Sequence, residues 1–262
     1  MKKSCRLDGH FPYRTGILFR SALTVIVPAL LFLHSCGIES YYYLPEVPAG
    51  NITTSSNQWA SVNLPSISVP YFTYFALYYR IYISYEQIAN IGNLGFVNTT
   101  LDSDYRYLAP YTNTSTSTSI NVASIMTSRG YQSLFFETSG ISSDLLSIKN
   151  GGTLRIEFPL SGSNPYISYP ASGGTTGTAV LMRSNGNGAF SPLPNRYFLN
   201  SGPLNDPANI SSTINADVAD TNSSGSNRYA YASVYIVSAG LNEQSYTPIF
   251  SIPTFVGIFR LP

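Results

Sequence analysis

Along residues 72–84 the chain alternates with period two. Phe75, Leu77, Tyr79, Ile81 and Ile83 fall on one side, and Tyr78, Arg80 and Tyr82 on the other. That periodicity is a strand's, and the β-branched and aromatic residues suit a pleated sheet better than a helix. A second long alternation runs from Tyr229 to Ala239. A turn over Gly240–Gln244 follows, then strands over 247–252 and 254–261. Gln58–Leu64 also alternates and stops at Pro65. Weaker apolar runs predict strands over 132–137, 153–158, 178–183 and 196–199. Residues 151–152 and 186–188 read as turns. Residues 86–91 and Ile141–Ile148 can each hold a helical turn. Polar low-complexity pieces interrupt the middle at 112–119, 161–165, 172–177 and 184–188. The expectation is that strands 74–84 and 229–239 share one sandwich with Trp59, Leu77, Tyr79, Ile81 and Val237 buried. Trp59 has a second reading, as an aromatic platform for a ligand.

Composition narrows the class to all-β. The 262 residues are 44% hydrophobic but only 10% charged, against a usual quarter. Twenty-one Tyr and 14 Phe favour strands, and 20 Gly with 17 Pro break helices throughout. The net charge of +1 hides an asymmetry: Lys2, Lys3, Arg6, Arg14 and Arg20 face only Asp8 before residue 37. Residues 37–262 keep nine of the 14 basic residues and twelve of the 13 acids, a net of −3. No basic patch is left to track phosphates, so nucleic acid is not an expected partner.

The first 35 residues read as an export signal: a basic start, the apolar run 21–34, and a small residue before Cys36. At about 14 residues the run is short for a spanning helix, which needs roughly 20. Leu33-His34-Ser35-Cys36 resembles the lipobox of bacterial lipoproteins, with Leu33 and Ser35 matching and His34 in the middle position. The resemblance implies cleavage before Cys36 and acylation of its thiol and new amino terminus. Each buried CH₂ of such an anchor contributes about 0.8 kcal/mol. The only other cysteine, Cys5, leaves with the signal, so Cys36 has no disulfide partner in the mature chain. Residues 36–49 then form the lipidated start and tether. Tyr41–Tyr43 either lie along a membrane surface or begin an ordered strand.

Trp59 and Leu77-Tyr78-Tyr79-Arg80-Ile81-Tyr82, with Tyr235, Ala239, Asn242, Ser245, Pro248 and Thr254 near the end, resemble the framework of a fibronectin type III or immunoglobulin-like sandwich. The combination with the lipobox also resembles envelope lipoproteins of spirochaetes. About 140 residues separate the two matching parts, so the likeness implies an immunoglobulin/fibronectin III-like sandwich over 50–262 with a large central insertion at about 86–227. It implies a binding or structural module and brings no catalytic residues.

The residues available for chemistry agree. His10 and His34 both precede Cys36, and Lys149 is the only lysine after it. Ser-His-Asp, Cys-His and His/Cys zinc sites therefore have no members in the mature chain. Glu86, Asp102, Asp104, Glu137 and Glu157 are candidates for a glycosidase pair but form no motif, and they read as solvated surface. Asp217, Asp220 and Asn222 lack calcium-loop spacing. No metal, cofactor or catalytic residue is assigned.

The reading is a non-catalytic interaction or adhesion module, lipid-anchored to the inner or outer membrane and facing periplasm or cell surface. Its ligand is a protein or a glycan. Tyr105, Tyr107, Tyr111, Tyr166 and Tyr169, all on the insertion, are the candidate binding aromatics, since Tyr gives contact area at low entropic cost. A glycan-active enzyme using a carboxylate pair and a purely structural envelope protein remain as alternatives.

Overall fold

The computed structural model describes residues 44–55, 57–84, 101, 103–106, 108, 126–138, 141–143, 150–160, 163–171, 175–184, 196–198, 217–220, 229–242 and 246–261. They fall in the unit Tyr42–Pro262. The signal, Cys36, Tyr41–Tyr43, the proposed turns at 86–91 and 186–188, and Lys149 lie outside the described residues.

Fourteen strands are described, nearly all antiparallel: β1 (Ile52–Ser55), β2 (Trp59–Ser66), β3 (Phe72–Ser84), β4 (Gln132–Ser133), β5 (Phe135–Thr138), β6 (Ile141–Ser143), β7 (Asn150–Glu157), β8 (Tyr166–Pro170), β9 (Thr176–Arg183), β10 (Arg196–Tyr197), β11 (Val218–Asp220), β12 (Tyr229–Leu241), β13 (Pro248–Phe250) and β14 (Thr254–Arg260). The first sheet runs β1-β2-β7-β8-β9-β5-β6, with β10 also on β9. The second runs β11-β3-β12-β13, with β14 on β12 and β4 on β3. Only β11, against β3, is parallel. The region 86–227 therefore supplies most of the first sheet, because β5 to β10 all come from it.

The two strongest alternations pair with each other. β12 lies against β3 from Tyr229↔Ser84 to Gly240↔Phe72. Their inner faces carry Phe75, Leu77, Tyr79, Ile81 and Ile83, and Ala230, Ala232, Val234 and Ile236. The first sheet meets them with Ala60, Val62, Leu64, Leu154, Ile156, Ile167, Ala179 and Leu181 in one shared hydrophobic cluster. Leu77, Tyr79, Ile81 and Val237 are fully buried, as expected.

The other face of the second sheet is also buried. Ala76, Tyr78, Tyr235 and Val237 pack with Leu108, Met126 and Tyr131, and Tyr82, Tyr231 and Ile258 pack with Leu101. Residues 103–106 and 126–128, which flank these contacts, are helical. β12 is thus buried on both faces, from Ala230 through Gly240.

Three local expectations change. Trp59 is half-buried rather than core: the alternation of β2 sends Ala60, Val62 and Leu64 inward and Trp59 outward. Ile141–Ser143 is a strand paired with β5, not part of a helical turn. Gly151 and Gly152 lie within β7, where Gly152 pairs with Leu64 of β2, instead of forming the turn itself. Both have positive φ, 73° and 118°, and a Cβ on Gly152 would stand 2.4 Å from Pro170 Cγ, so the register there needs glycine.

Candidate functional site

The outward side chains of the first sheet form cross-strand rows. Ser55, Trp59, Glu157, Tyr166 and Val180 stand opposite one another across β1, β2, β7, β8 and β9. Beside them run Thr53, Ser61, Arg155, Ser168 and Thr178. Period-two alternation produces both rows, since their inward neighbours are the core residues. The side chains bind one another. The Arg155 guanidinium stacks on the Trp59 ring at 4.3 Å. Arg155 Nε donates to Glu157 Oε1, and the Tyr166 hydroxyl donates to Glu157 Oε2. Asn63 Oδ1 accepts from Thr153 Oγ1 at 3.0 Å. Burial alone would raise the Glu157 carboxyl, but the hydrogen bonds from Tyr166 and Arg155 and the Arg155 charge outweigh it and hold it below the usual value. Glu157 is therefore ionised near neutrality and acts as an acceptor, whereas a general acid needs a raised value. The result is a pre-organised patch of one indole, one phenol, an ion pair and several hydroxyls.

The candidate tyrosines are distributed over different parts of the molecule. Tyr166 belongs to this patch. Tyr169 sits on the opposite side of β8, against the inner core and over Gly177. Tyr105 packs edge-on against Phe255, 5.2 Å between centroids, on the outer side of the second sheet. Tyr107 and Tyr111 lie outside the described residues. Trp59 and Arg155 join the patch as members of it. Alternation about the core positions of β2 and β7 was the signal for them.

Asp104, expected on the solvated surface, is instead buried, and so is Asp217, which was set aside as a calcium ligand. Arg183 and Asp217 are fully enclosed and paired twice, Nε to Oδ2 and Nη2 to Oδ1, each at 2.7 Å. The Tyr79 hydroxyl donates to Asp217 Oδ2 at 2.6 Å and accepts from the Ser184 amide. This knot ties β9 of the first sheet to β3 and the residue before β11 of the second. Burial, then the Asp217 charge, pushes the Tyr79 hydroxyl well above its ordinary value. Burial alone would lower Arg183, but Asp217 outweighs it and raises it. On the far side of the second sheet, Asp104 accepts from Arg80 Nη1 at 2.6 Å and from Tyr82 at 2.7 Å. The Tyr82 oxygen lies 3.2 Å from the Tyr131 hydroxyl, which also meets Ser233 Oγ. These networks staple layers together and offer no open position to a ligand. Among the described residues, no three His, Cys, Asp or Glu side chains gather where they could hold one metal ion. No described helix is long and apolar enough to cross a membrane.

No protein-family model matches the chain, and neither a curated protein nor a solved structure is significantly similar to it.

Proposed function

We propose that the chain is a lipid-anchored recognition module of a bacterial cell envelope, non-catalytic, and that it binds a protein or glycan ligand on the outer face of the first sheet. One contrast carries the reading. The second sheet's outer face packs against the chain's own Leu101, Leu108, Met126 and Tyr131. The first sheet's outer face keeps Trp59, Arg155, Glu157 and Tyr166 partly open and locked to one another. Locking removes the ordering cost that a ligand would otherwise have to offset. Rings, an ion pair and hydroxyls suit a polar ligand with some apolar surface. The anchor rests on Leu33-His34-Ser35-Cys36 and on the missing disulfide partner of Cys36.

The framework we infer is immunoglobulin-like, with an enlarged first sheet. The central antiparallel pair β3–β12 supports it, and the outward Trp59 departs from its pattern.

The test is a panel of glycans, extracellular-matrix proteins and envelope components, probed with wild type and Arg155→Ala and run beside hydrolase substrates. A ligand bound by wild type and lost in Arg155→Ala, with the variant's unfolding unchanged, is the expected result. Turnover abolished by a single Asp or Glu substitution would overturn the reading.

A further inference from the structure

We propose that the ligand of the first sheet's outer face is a glycan bearing a sugar acid. Its carboxylate sits on the free edge of the Arg155 guanidinium, and its hydroxyls lie along the Ser/Thr row on either side. The inference rests on the recognition reading above and names the ligand class of that same face.

The guanidinium is fixed on two sides and open on the third. Its face stacks on the Trp59 ring at 4.3 Å, and its Nε donates to Glu157 Oε1. Nη1 and Nη2 meet no acceptor among the described residues, and 42% of the side chain remains exposed. The indole N–H of Trp59 is likewise without an acceptor there. Glu157 has nothing left for a ligand, because the Tyr166 hydroxyl donates to its other oxygen. The patch therefore holds spare donors and no spare carboxylate. The two Nη groups form an end-on fork that matches the two oxygens of a carboxylate, and a planar fork already held in place loses little freedom in binding one. Because Glu157 offsets the charge of Arg155, this fork selects by hydrogen-bond geometry more than by long-range attraction.

A single carboxylate is what the surroundings accept. Across β1, β2, β7, β8 and β9 the charged residues are Arg155, Glu157 and the fully enclosed Arg183. On β5, Glu137 pairs with Val180, so it falls in the Glu157 row, three strands from Glu157 and off the Arg155 row. One cation cannot follow the dense charge of a nucleic acid or a heavily sulfated polymer. The Arg155 row supplies the remaining contacts. Thr53 and Ser61 stand on one side of it, and Ser168 and Thr178 on the other. Their hydroxyls can both donate and accept, and they make no side-chain hydrogen bond among the described residues. Neighbouring strands stand about 4.8 Å apart, so the row spans about 19 Å, room for a short oligosaccharide laid across the strands. A protein partner would call for an apolar centre. No large exposed hydrophobic residue stands in either row.

Trp59, the only tryptophan of the chain, lies under the guanidinium and reports occupancy of this site by its fluorescence. The experiment titrates the full chain with hexagalacturonate, a hyaluronan hexasaccharide and sialyllactose, each also as its methyl ester, and with poly-glutamate as the acidic-peptide probe. At least one sugar acid should bind and shift the Trp59 emission. Its methyl ester, and the Arg155→Lys variant, should each bind about tenfold more weakly or worse, the scale of one charge-assisted hydrogen bond. Lysine keeps the charge and loses the fork. Ser168→Ala, which leaves the ion pair alone, should weaken the same sugar with urea unfolding unchanged. Equal binding of acid and ester, binding that leaves Trp59 emission unmoved, poly-glutamate bound more tightly than every sugar acid, or no sugar acid bound at all would each overturn the proposal. A protein or neutral glycan bound by wild type and lost in Arg155→Ala, with every sugar acid rejected, would overturn this ligand class and leave the recognition reading standing. No ligand of any class on the patch would fail both.

Discussion

At the scale of single residues, the buried ions are the most exacting part of the molecule. Arg183 and Asp217 have left water completely, so each depends on the other and on Tyr79. Removing one partner strands a charge. Asp217→Ala should cost about 3–5 kcal/mol in urea unfolding, while Arg183→Met/Asp217→Leu should cost much less. A single-variant loss no larger than that of the double variant would contradict the description. The buried tyrosines make a second prediction. Burial, the leading cause for each, pushes Tyr79, Tyr82 and Tyr235 well above the ordinary value of 10.0 and Tyr131 to about 12. A hydroxyl whose folded value is raised contributes fully below the unfolded value, and that contribution is lost as pH rises beyond it. Stability should therefore be flat in these groups near neutrality and fall above about pH 10. Tyrosinate absorbance should show these four ionising only with unfolding. Ionisation of every tyrosine while the fold persists would contradict it.

At the scale of elements, β3 and β12 decide the fold, and both were legible because each alternates over more than ten residues. Their inner sides carry the core, so Leu77→Ala should cost about 2–5 kcal/mol. Gly240 is a subtler case. A Cβ there would stand 2.1 Å from the Tyr71 carbonyl oxygen, which is backbone and cannot swing away. Gly240→Ala should cost at least about 1–3 kcal/mol, the usual scale of overpacking, and should loosen the β3–β12 end first in amide exchange. Unchanged stability would show that the two strands do not approach so closely. The short strands were less legible for a physical reason. β1, β8 and β11 have three to five residues and sit among Ser, Thr, Asn and Gly, so their order comes from neighbours rather than from their own pattern. Trp59 went astray because size alone suggests a core anchor, whereas its phase relative to Ala60, Val62 and Leu64 places it outside. Asp104 and Asp217 were illegible because a lone acid shows no partner until distant Arg80 and Arg183 are folded against it.

At the scale of the whole molecule, one asymmetry organises the account. Around β3 and β12 the second sheet is buried on both faces by the chain itself, and the first turns a locked patch of Trp59, Arg155, Glu157 and Tyr166 outward. The proposed envelope location depends on a lipid tether at Cys36. The measurement that tests it most directly is the mass and membrane partitioning of the chain expressed in a bacterium that processes lipoproteins. Wild type should be recovered in the membrane fraction, beginning at Cys36 and carrying acyl chains, and Cys36→Ala should be released or remain an uncut precursor. A wild-type chain without acyl mass, partitioning the same way as Cys36→Ala, would contradict the account.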